Sequence, residues 1–348
     1  LRDYRCFLFI SRKVGYSTSV AAKLCDLRED LMTELVNAGL FNEKMDSYYL
    51  LNLLRSISSI SHNSVLAEPV QLDKYKELNE QILDPALNLK VYPEYLETAN
   101  NNNNNEEGEG QEIVSLSLKE LPESCTLWSQ ADTIANIAKP NTGIPCPFVI
   151  SVHFKCEPQE SSKLKAFRKA SSLEKKAKSP YAKLIPGTVQ AAEDWKKIRN
   201  DLADDSIQLC KVYYNCILFT DKENRKAHTS KAINAFRKNG MNVFPMRYQH
   251  LQSYLALFPF ICEQGLWNDL NYLRRLNTMT TWNLCNMLPI VADFKGSQDG
   301  KGLFAPTFRH QAACIDNFSK SLDNYNVCIC ATSGSGKSVL SQTLISSV

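Results

Sequence analysis

The apolar positions near the start of the chain change their spacing within forty residues. Leu1 to Ile10 is aromatic and apolar with partial alternation, which predicts a strand. From Ser17 to Ala38, valine and leucine recur every three or four residues, which predicts an amphipathic helix. Ser17 or Thr18 suits its N-cap, and Gly39 suits its end. The chain therefore opens with a strand pattern followed by a helix pattern.

Helix and strand patterns also alternate through the middle of the chain. A second helix is predicted near residues 47–60, with strands near 87–92 and 113–118. Beyond Pro147 the pattern alternates between the two types, with strands at 148–154, 207–220 and 241–245 and helices at 161–178, 189–202 and 222–238. Such alternation is typical of an α/β arrangement.

Two polar tracts interrupt these patterns. Ala99 to Gln111 contains consecutive asparagines followed by Glu and Gly, with nothing apolar to bury, and predicts a disordered surface loop. Residues 293–302 are rich in glycine and charge, which predicts a linker into the last element.

The last apolar run leads into a phosphate-binding pattern. Residues 325–331 (YNVCICA) predict a short strand, and apolar positions after residue 338 continue at helical spacing. Between them lies a Walker A sequence with alanine in its first position: Ala331, Thr332, Ser333, Gly334, Ser335, Gly336, Lys337 and Ser338. A strand before the loop and a helix after it favour a true phosphate loop over a glycine-rich turn.

The residue types of this loop suit nucleotide chemistry. Gly334 and Gly336 let the backbone adopt positive φ and approach a ligand closely, so that successive N–H groups cradle the β-phosphate. The helix adds its positive N-terminal end. We expect Lys337 to reach the β- and γ-phosphate oxygens of ATP and the Ser338 hydroxyl to bind Mg²⁺. We assign no catalytic residue, because hydrolysis needs carboxylates that the sequence before the loop does not supply convincingly.

Charge, cysteine content and hydropathy argue against several classes of protein: nucleic-acid-binding, disulfide-stabilised and membrane-spanning. The net charge of +3 is too small to indicate a nucleic-acid partner for the whole chain. The 12 cysteines are scattered, without CxxC spacing, so reduced thiols and a cytoplasmic location are expected. Cys328 and Cys330 fit small apolar core residues better than metal ligands. No apolar run reaches the roughly 20 residues of a membrane-spanning helix.

Two other features, a basic segment and the histidines, have an ordinary structural interpretation beside a functional one. Residues 163–183 carry eight Lys or Arg against one Glu, which suits DNA phosphates or anionic lipid, but a solvated helix face is favoured. The five histidines do not have the spacing of metal ligands, and we interpret them as surface or core residues: His62, His153, His228, His250 and His310.

Longer sequence blocks resemble a known family. They include LRDYR (1–5), LNLKVYPEYL (87–96), CPFVISV (146–152), SPYAKLIPG (179–187), the block at 235–260, NLCNMLPIVADF (283–294), GLFAPTFRHQAACID (302–316) and CATSGSGKS (330–338). In order and spacing they resemble the TraC family of F-type conjugative type IV secretion systems. Residues 101–109 stand out as a local insertion.

The resemblance implies a cytoplasmic ATPase peripheral to the bacterial inner membrane, made of an accessory domain and a RecA-like motor. It implies a hexamer that works with inner-membrane secretion components in pilus assembly and substrate transfer. The implied organisation is an accessory domain at 1–99 and 111–292 split by a loop at 100–110, a linker at 293–302, and the truncated start of the ATPase domain at 303–348. Such a chain lacks the Walker B strand and would be inactive alone. The alternatives are a non-catalytic module that docks on the secretion machinery and a DNA-translocating P-loop motor.

Overall fold

The computed structural model describes residues 6–11, 18–38, 40, 42–58, 70–83, 87–100, 111–122, 125, 133–134, 140–180, 187–290, 296, 302–306, 312–320, 322, 324–332 and 334–347. Within them the predicted mixture of helices and strands is confirmed. The helices are α1 (Thr18–Asn37), α2 (Ser47–Ser58), α3 (Leu78–Ile82), α4 (Gln159–Ala177), α5 (Thr188–Ala203), α6 (Arg225–Lys238), α7 (His250–Leu255), α8 (Leu266–Tyr272), α9 (Thr281–Met287) and α10 (Lys337–Ser346).

The strands of the described residues form two sheets. Their bounds are β1 (Leu87–Val91), β2 (Leu96–Asn100), β3 (Gln111–Glu120), β4 (Phe148–Cys156), β5 (Leu209–Asp221), β6 (Asn242–Pro245), β7 (Asn277–Thr280), β8 (Leu303–Pro306) and β9 (Ala312–Ile315). The main sheet follows the order β1-β2-β3-β5-β4, with β6 on β3 and β7 on β5. Its recorded pairings are all antiparallel, and β8 and β9 form a separate hairpin.

β5 is the centre of the sheet, and both of its faces are buried. Tyr214 and Leu218 point into a core that includes Phe236 of α6 and Leu284 of α9. The alternate residue Ile217 packs on the opposite face with residues of α2 and α7. Because a strand alternates its side chains between faces, burial on both faces requires the nearly continuous apolar run seen here. The sheet is therefore a middle layer between two sets of helices.

α4 and α5 form a helical pair beside this sheet. The face of α4 that meets α5 carries small residues, Ser162, Ala166 and Ala170, which are buried and allow the two helices to approach closely. Leu202 of α5 completes the contact with Ala166. The opposite face of α4 is left to solvent, and it carries most of the basic residues that the sequence singled out.

One strand prediction at the start of the chain is wrong. Residues 6–10 form no strand, and residues 1–5 lie outside the described part of the chain. Phe7 instead lies 6.1 Å from the ring of Tyr49, and Phe9 lies 5.9 Å from that of Phe260. The apolar pattern is satisfied here by aromatic contacts, and no sheet edge in the described residues pairs with this backbone.

Several short elements were not predicted: β2, β7, β8, β9, α3, α7, α8 and α9. β2 is informative because it ends at Asn100, inside the tract predicted as a loop, while residues 101–110 lie outside the described residues. β2 pairs antiparallel with β3, so Thr98 lies opposite Gln111. The polar tract therefore connects two adjacent strands of one sheet, and the prediction of disorder in it stays a prediction.

Candidate nucleotide-binding loop

The segment that leads into the loop has no regular secondary structure. Residues 324–332 are described, but they form no strand, so the strand predicted at 325–331 is wrong. A strand exists only while a neighbour accepts and donates its backbone hydrogen bonds, and no described residue pairs with this segment. Cys328 and Cys330 are consequently exposed, with sulfurs 3.6 Å apart, instead of lying in a core as predicted.

The glycines of the loop adopt the conformation that the sequence predicted. Gly334 has φ +80° and Gly336 has φ +87°, both in the left-handed region that residues with a Cβ rarely adopt. A Cβ at either position would meet open space, so backbone conformation and not crowding is what calls for glycine there. The loop thus turns twice within three residues before the helix starts.

α10 begins directly after the second of these glycines. Gly336 is its N-cap, Lys337 is its first residue, and the amide of Leu340 donates to the Gly336 carbonyl at 3.0 Å. The amide of Ser335 donates to the Thr332 carbonyl at 3.3 Å, which closes the turn that precedes the helix. The first N–H groups of a helix have no acceptor within it, so the N-terminus of α10 can donate to an anion.

The side chains of the site face solvent. Ala331, Thr332, Ser335, Lys337 and Ser338 are exposed, whereas Ser333 lies outside the described residues. Lys337 and Ser338 occupy the first turn of α10, where an ammonium group and a hydroxyl can reach a phosphate chain bound at the helix end. The residues present fit ATP with Mg²⁺, since the loop supplies backbone donors, one cation and one oxygen ligand.

No metal-binding carboxylate cluster lies at this loop in the described part of the chain. Among the described residues, no group of three or more His, Cys, Asp or Glu side chains could hold a metal ion. Asp316 accepts a hydrogen bond from the amide of Phe318 at 2.9 Å and so closes a turn after β9. Asp293, another acid that precedes the loop, lies outside the described residues.

The histidines have separate surroundings. His250 is buried and its Nδ1 accepts a hydrogen bond from the Ser115 amide at 3.3 Å, while His153 Nδ1 lies 3.4 Å from the Cys262 sulfur. Burial lowers the pKa of both imidazoles. His228 lies on α6, and His62 and His310 are outside the described residues.

The basic residues between 163 and 176 lie on α4, most of them on its solvent side. Lys163 pairs with Asp205 at 2.9 Å and Lys165 with Glu157 at 2.7 Å. Farther along the helix, Arg168, Lys169, Lys175 and Lys176 have no ion-pair partner within 4.0 Å among the described residues. Leu164 and Phe167 are exposed beside them, at 51% and 57%. The basic residues and Phe167 among them were visible in the sequence, but Leu164 was not recognised as part of this surface.

A further feature escaped the sequence analysis altogether. Cys156 and Cys210 are 54 positions apart in the chain, yet their sulfurs lie 3.1 Å from each other across β4 and β5. Only the strand register brings them together, and spacing along the sequence gives no sign of it.

Comparison with known proteins identifies the family. A family model described as "TraC protein" matches residues 1–262, which is well over half of the chain. The chain belongs to the TraC family. The resemblance inferred from short sequence blocks is thereby confirmed.

A curated relative extends the likeness beyond the family model. The chain is 30% identical over 353 aligned residues to "Protein TraC" of Escherichia coli (strain K12), and the alignment covers 100% of the chain. It covers 40% of that relative's length. The match to the family model ends at residue 262 and does not reach the loop, whereas the alignment to this relative does.

No helix among the described residues is long and apolar enough to cross a membrane.

Proposed function

We propose that this TraC family member binds ATP with Mg²⁺ through residues 331–338 and is a component of a conjugative type IV secretion system. The observation that carries the nucleotide part is the loop geometry. Gly334 and Gly336 turn the chain through left-handed conformations directly into the N-terminus of α10. Family membership supports the assignment to conjugative transfer.

Each part of the loop has a role in this proposal. The amides between Gly334 and Ser338 donate hydrogen bonds to the β-phosphate, and the N-terminal end of α10 favours its negative charge. Lys337 contacts the β- and γ-phosphate oxygens. The hydroxyl of Ser338 ligates Mg²⁺, which when bound neutralises charge on the phosphates.

Binding and turnover are separate parts of the proposal. In-line attack of water on the γ-phosphate needs a positioned carboxylate and a charge-stabilising arginine. Residues 339–348, which follow the loop, contain no Asp, Glu or Arg. We therefore expect a polypeptide of residues 1–348 on its own to bind nucleotide without hydrolysing it above background.

Family membership supports a proposal for the role of the longer protein that contains this sequence. We propose that a longer protein containing this sequence assembles as a hexamer with inner-membrane secretion components, and that ATP hydrolysis by it powers pilus assembly and substrate transfer. The chain spans about 40% of the length of the E. coli relative, so these activities are proposed for the longer protein. In that protein, replacing the lysine equivalent to Lys337 by alanine should abolish hydrolysis and DNA transfer and leave the fold intact.

The basic face of α4 supports a location at the membrane surface. Arg168 and Lys175 lie two turns apart on the same face of the helix, with Leu164 one turn before Arg168. Unpaired cations next to exposed apolar side chains suit an anionic lipid surface, where each cation adds attraction. Flotation with anionic and with zwitterionic vesicles tests this, and equal binding to both, or to neither, would contradict it.

The test of nucleotide binding uses the intact chain and a fluorescent ATP analogue in the presence of Mg²⁺. Lys337→Ala should weaken binding on the order of tenfold or more, because it removes the cation that contacts two phosphates. Lys320→Ala is the matched control, since Lys320 is also an exposed lysine in the C-terminal part of the chain. A phosphate-release assay on the same samples should show no turnover.

The outcomes separate the two parts of the proposal. Equal affinity of the Lys337→Ala variant and the unchanged chain would refute the phosphate loop. Robust Lys337-dependent phosphate release would support the loop and refute the expectation that this chain is inactive alone.

A further inference from the structure

A pair of free thiols lies at one end of the β4–β5 strand pair in the main sheet. Cys156 is the last residue of β4, and Cys210 is the second residue of β5 directly opposite it. Their sulfurs are 3.1 Å apart, and neither cysteine belongs to a disulfide. This separation is closer than the contact between Cys328 and Cys330, whose sulfurs are 3.6 Å apart.

The hydrogen-bond pattern of the two strands shows what kind of site this pair occupies. The amide of Glu157 donates to the Leu209 carbonyl at 2.8 Å, and the amide of Phe219 donates to the Pro147 carbonyl at 3.0 Å. Odd-numbered positions along β4 are therefore the hydrogen-bonded pairs of this ladder, and position 156 is a non-hydrogen-bonded pair.

Non-hydrogen-bonded pairs bring opposite residues closest together. Their Cα atoms lie about 4.5 Å apart in antiparallel sheets, and disulfides span Cα separations of about 4.4 to 6.8 Å. Cys156 and Cys210 can therefore be joined by side-chain rotation, without a shift of either strand.

The two thiols differ in access to solvent. Cys156 is exposed at the end of β4, whereas Cys210 is fully buried. Burial first, and then the hydrogen bond with Cys156, raises the pKa of Cys210 to about 12. A reagent from solvent therefore meets Cys156 first, and Cys210 reacts only with what is already attached to its neighbour.

We propose that Cys156 and Cys210 form a thiol-modification site at which a small-molecule disulfide closes a cross-strand disulfide. The Cys156 thiolate attacks one sulfur of the reagent, whose other sulfur leaves as a thiolate and takes up a proton. Cys210 then loses its proton, attacks the Cys156 sulfur and expels the second reagent thiol. Two protein thiols are oxidised to one disulfide, and the reagent disulfide is reduced to two thiols.

The position of the pair gives the bond a structural consequence. β4 leads through Glu157 and Pro158 straight into α4, so the bond would tie the base of the α4–α5 pair to the central strand. Glu157 also holds Lys165 of α4 at 2.7 Å. Closing the disulfide should raise the thermal unfolding midpoint, because it constrains a loop of 54 positions in the unfolded chain.

The experiment treats the intact reduced chain with glutathione disulfide and follows intact mass and cysteine-containing peptides over time. The expected product has lost two hydrogens, with Cys156 linked to Cys210. Cys210→Ser should stop at a glutathione adduct on Cys156, because no resolving thiol remains. Cys156→Ser should slow modification of Cys210 on the order of tenfold or more, because that thiol is buried.

A neighbouring thiol supplies the control. Cys285 lies near enough to contribute to the raised pKa of Cys210, yet it is exposed on α9 and outside the strand pair. Cys285→Ser should leave the 156–210 bond forming at an unchanged rate. A disulfide that joins Cys285 to either partner, or no disulfide between 156 and 210 while other cysteines react, would overturn the proposal. Circular dichroism of each serine variant checks that it is folded.

Discussion

The main sheet and the loop-bearing end of the chain both contain apolar runs, but these runs differ in how far they are buried and paired. β5 is an apolar run with helices on both faces, and Ile217 within it is fully buried. Residues 325–331 are also an apolar run, but they pair with no described strand, and Val327 is 54% exposed. After the loop, Ile345 of α10 is 76% exposed. Hydrophobic pattern alone thus does not produce a buried strand.

Charged groups show the same contrast. Arg225 of α6 pairs with the buried Glu112 at 3.2 Å and lies over the Tyr95 ring, with its guanidinium carbon 4.0 Å from the ring centre. Lys337 is exposed and has no ion pair among the described residues. A charge next to the core needs a partner to offset desolvation, whereas the phosphate contact that we propose for Lys337 requires a cation that remains available to a ligand.

The two regions also differ in what their structure depends on: the loop depends on local features, whereas the sheet depends on long-range contacts. A phosphate loop needs only two left-handed glycines and a helix N-terminus, which are local features. The loop that we propose for phosphate binding can therefore adopt its shape in a part of the chain where few described side chains are buried. The sheet, by contrast, depends on contacts between residues far apart in sequence, such as Glu112 and Arg225.

The largest expected effect is in amide hydrogen exchange. Amides of β5, such as those of residues 212–218, should exchange only through global opening, which costs about 5 kcal/mol or more in ordinary domains. Amides of residues 324–332 should exchange with little protection, because they lack ladder partners. Mass-spectrometric exchange on the intact chain measures both, and strong protection in 324–332 would show that the two regions do not differ as described.

A matched pair of substitutions tests the same contrast in packing. Ile217→Ala should lower the free energy of unfolding by about 2 to 5 kcal/mol, because it leaves a cavity beneath the sheet. Ile345→Ala removes the same atoms from an exposed position and should change it by no more than about 0.5 kcal/mol. Urea denaturation of both variants gives the comparison, and a similar cost at the two sites would argue for an unrecognised core around α10.

The smallest expected effect concerns the pH dependence of stability and arises from buried histidines on the sheet side. Burial lowers the pKa of His250 below its ordinary value of 6.5, although the carbonyls of Met246 and Pro93 oppose this. The fold therefore favours neutral imidazole. Its contribution to stability is fully present above the unfolded pKa and is lost as the pH falls through the folded pKa.

We expect the unfolding free energy to fall as the pH drops below the unfolded pKa of histidine, about 6.5, with a contribution from His250 of about 1.4 kcal/mol for each unit of pKa difference. His250→Gln should flatten part of that slope, and the lowered pKa of His153 accounts for a further part with the same sign. His228→Gln is the control on α6. An unchanged slope in His250→Gln would contradict the assignment.

Periodicity and loop chemistry were the parts of this protein that the sequence determined by itself. The helix predicted at 17–38 is α1, the strand predicted at 207–220 is β5, and the left-handed glycines at 334 and 336 were predicted from the loop pattern. These features depend on residues close together in sequence, where spacing and φ preference act directly.

Tertiary structure decided which apolar runs became strands and which distant residues meet. The strand patterns at 1–10 and 325–331 form no strands in the described residues, because a strand requires a neighbour that its own sequence cannot specify. Cys156 and Cys210 meet only through the register of β4 and β5. Pairing between strands is set by the whole sheet and the helices that cover it, which is why local patterns could not reveal the thiol pair.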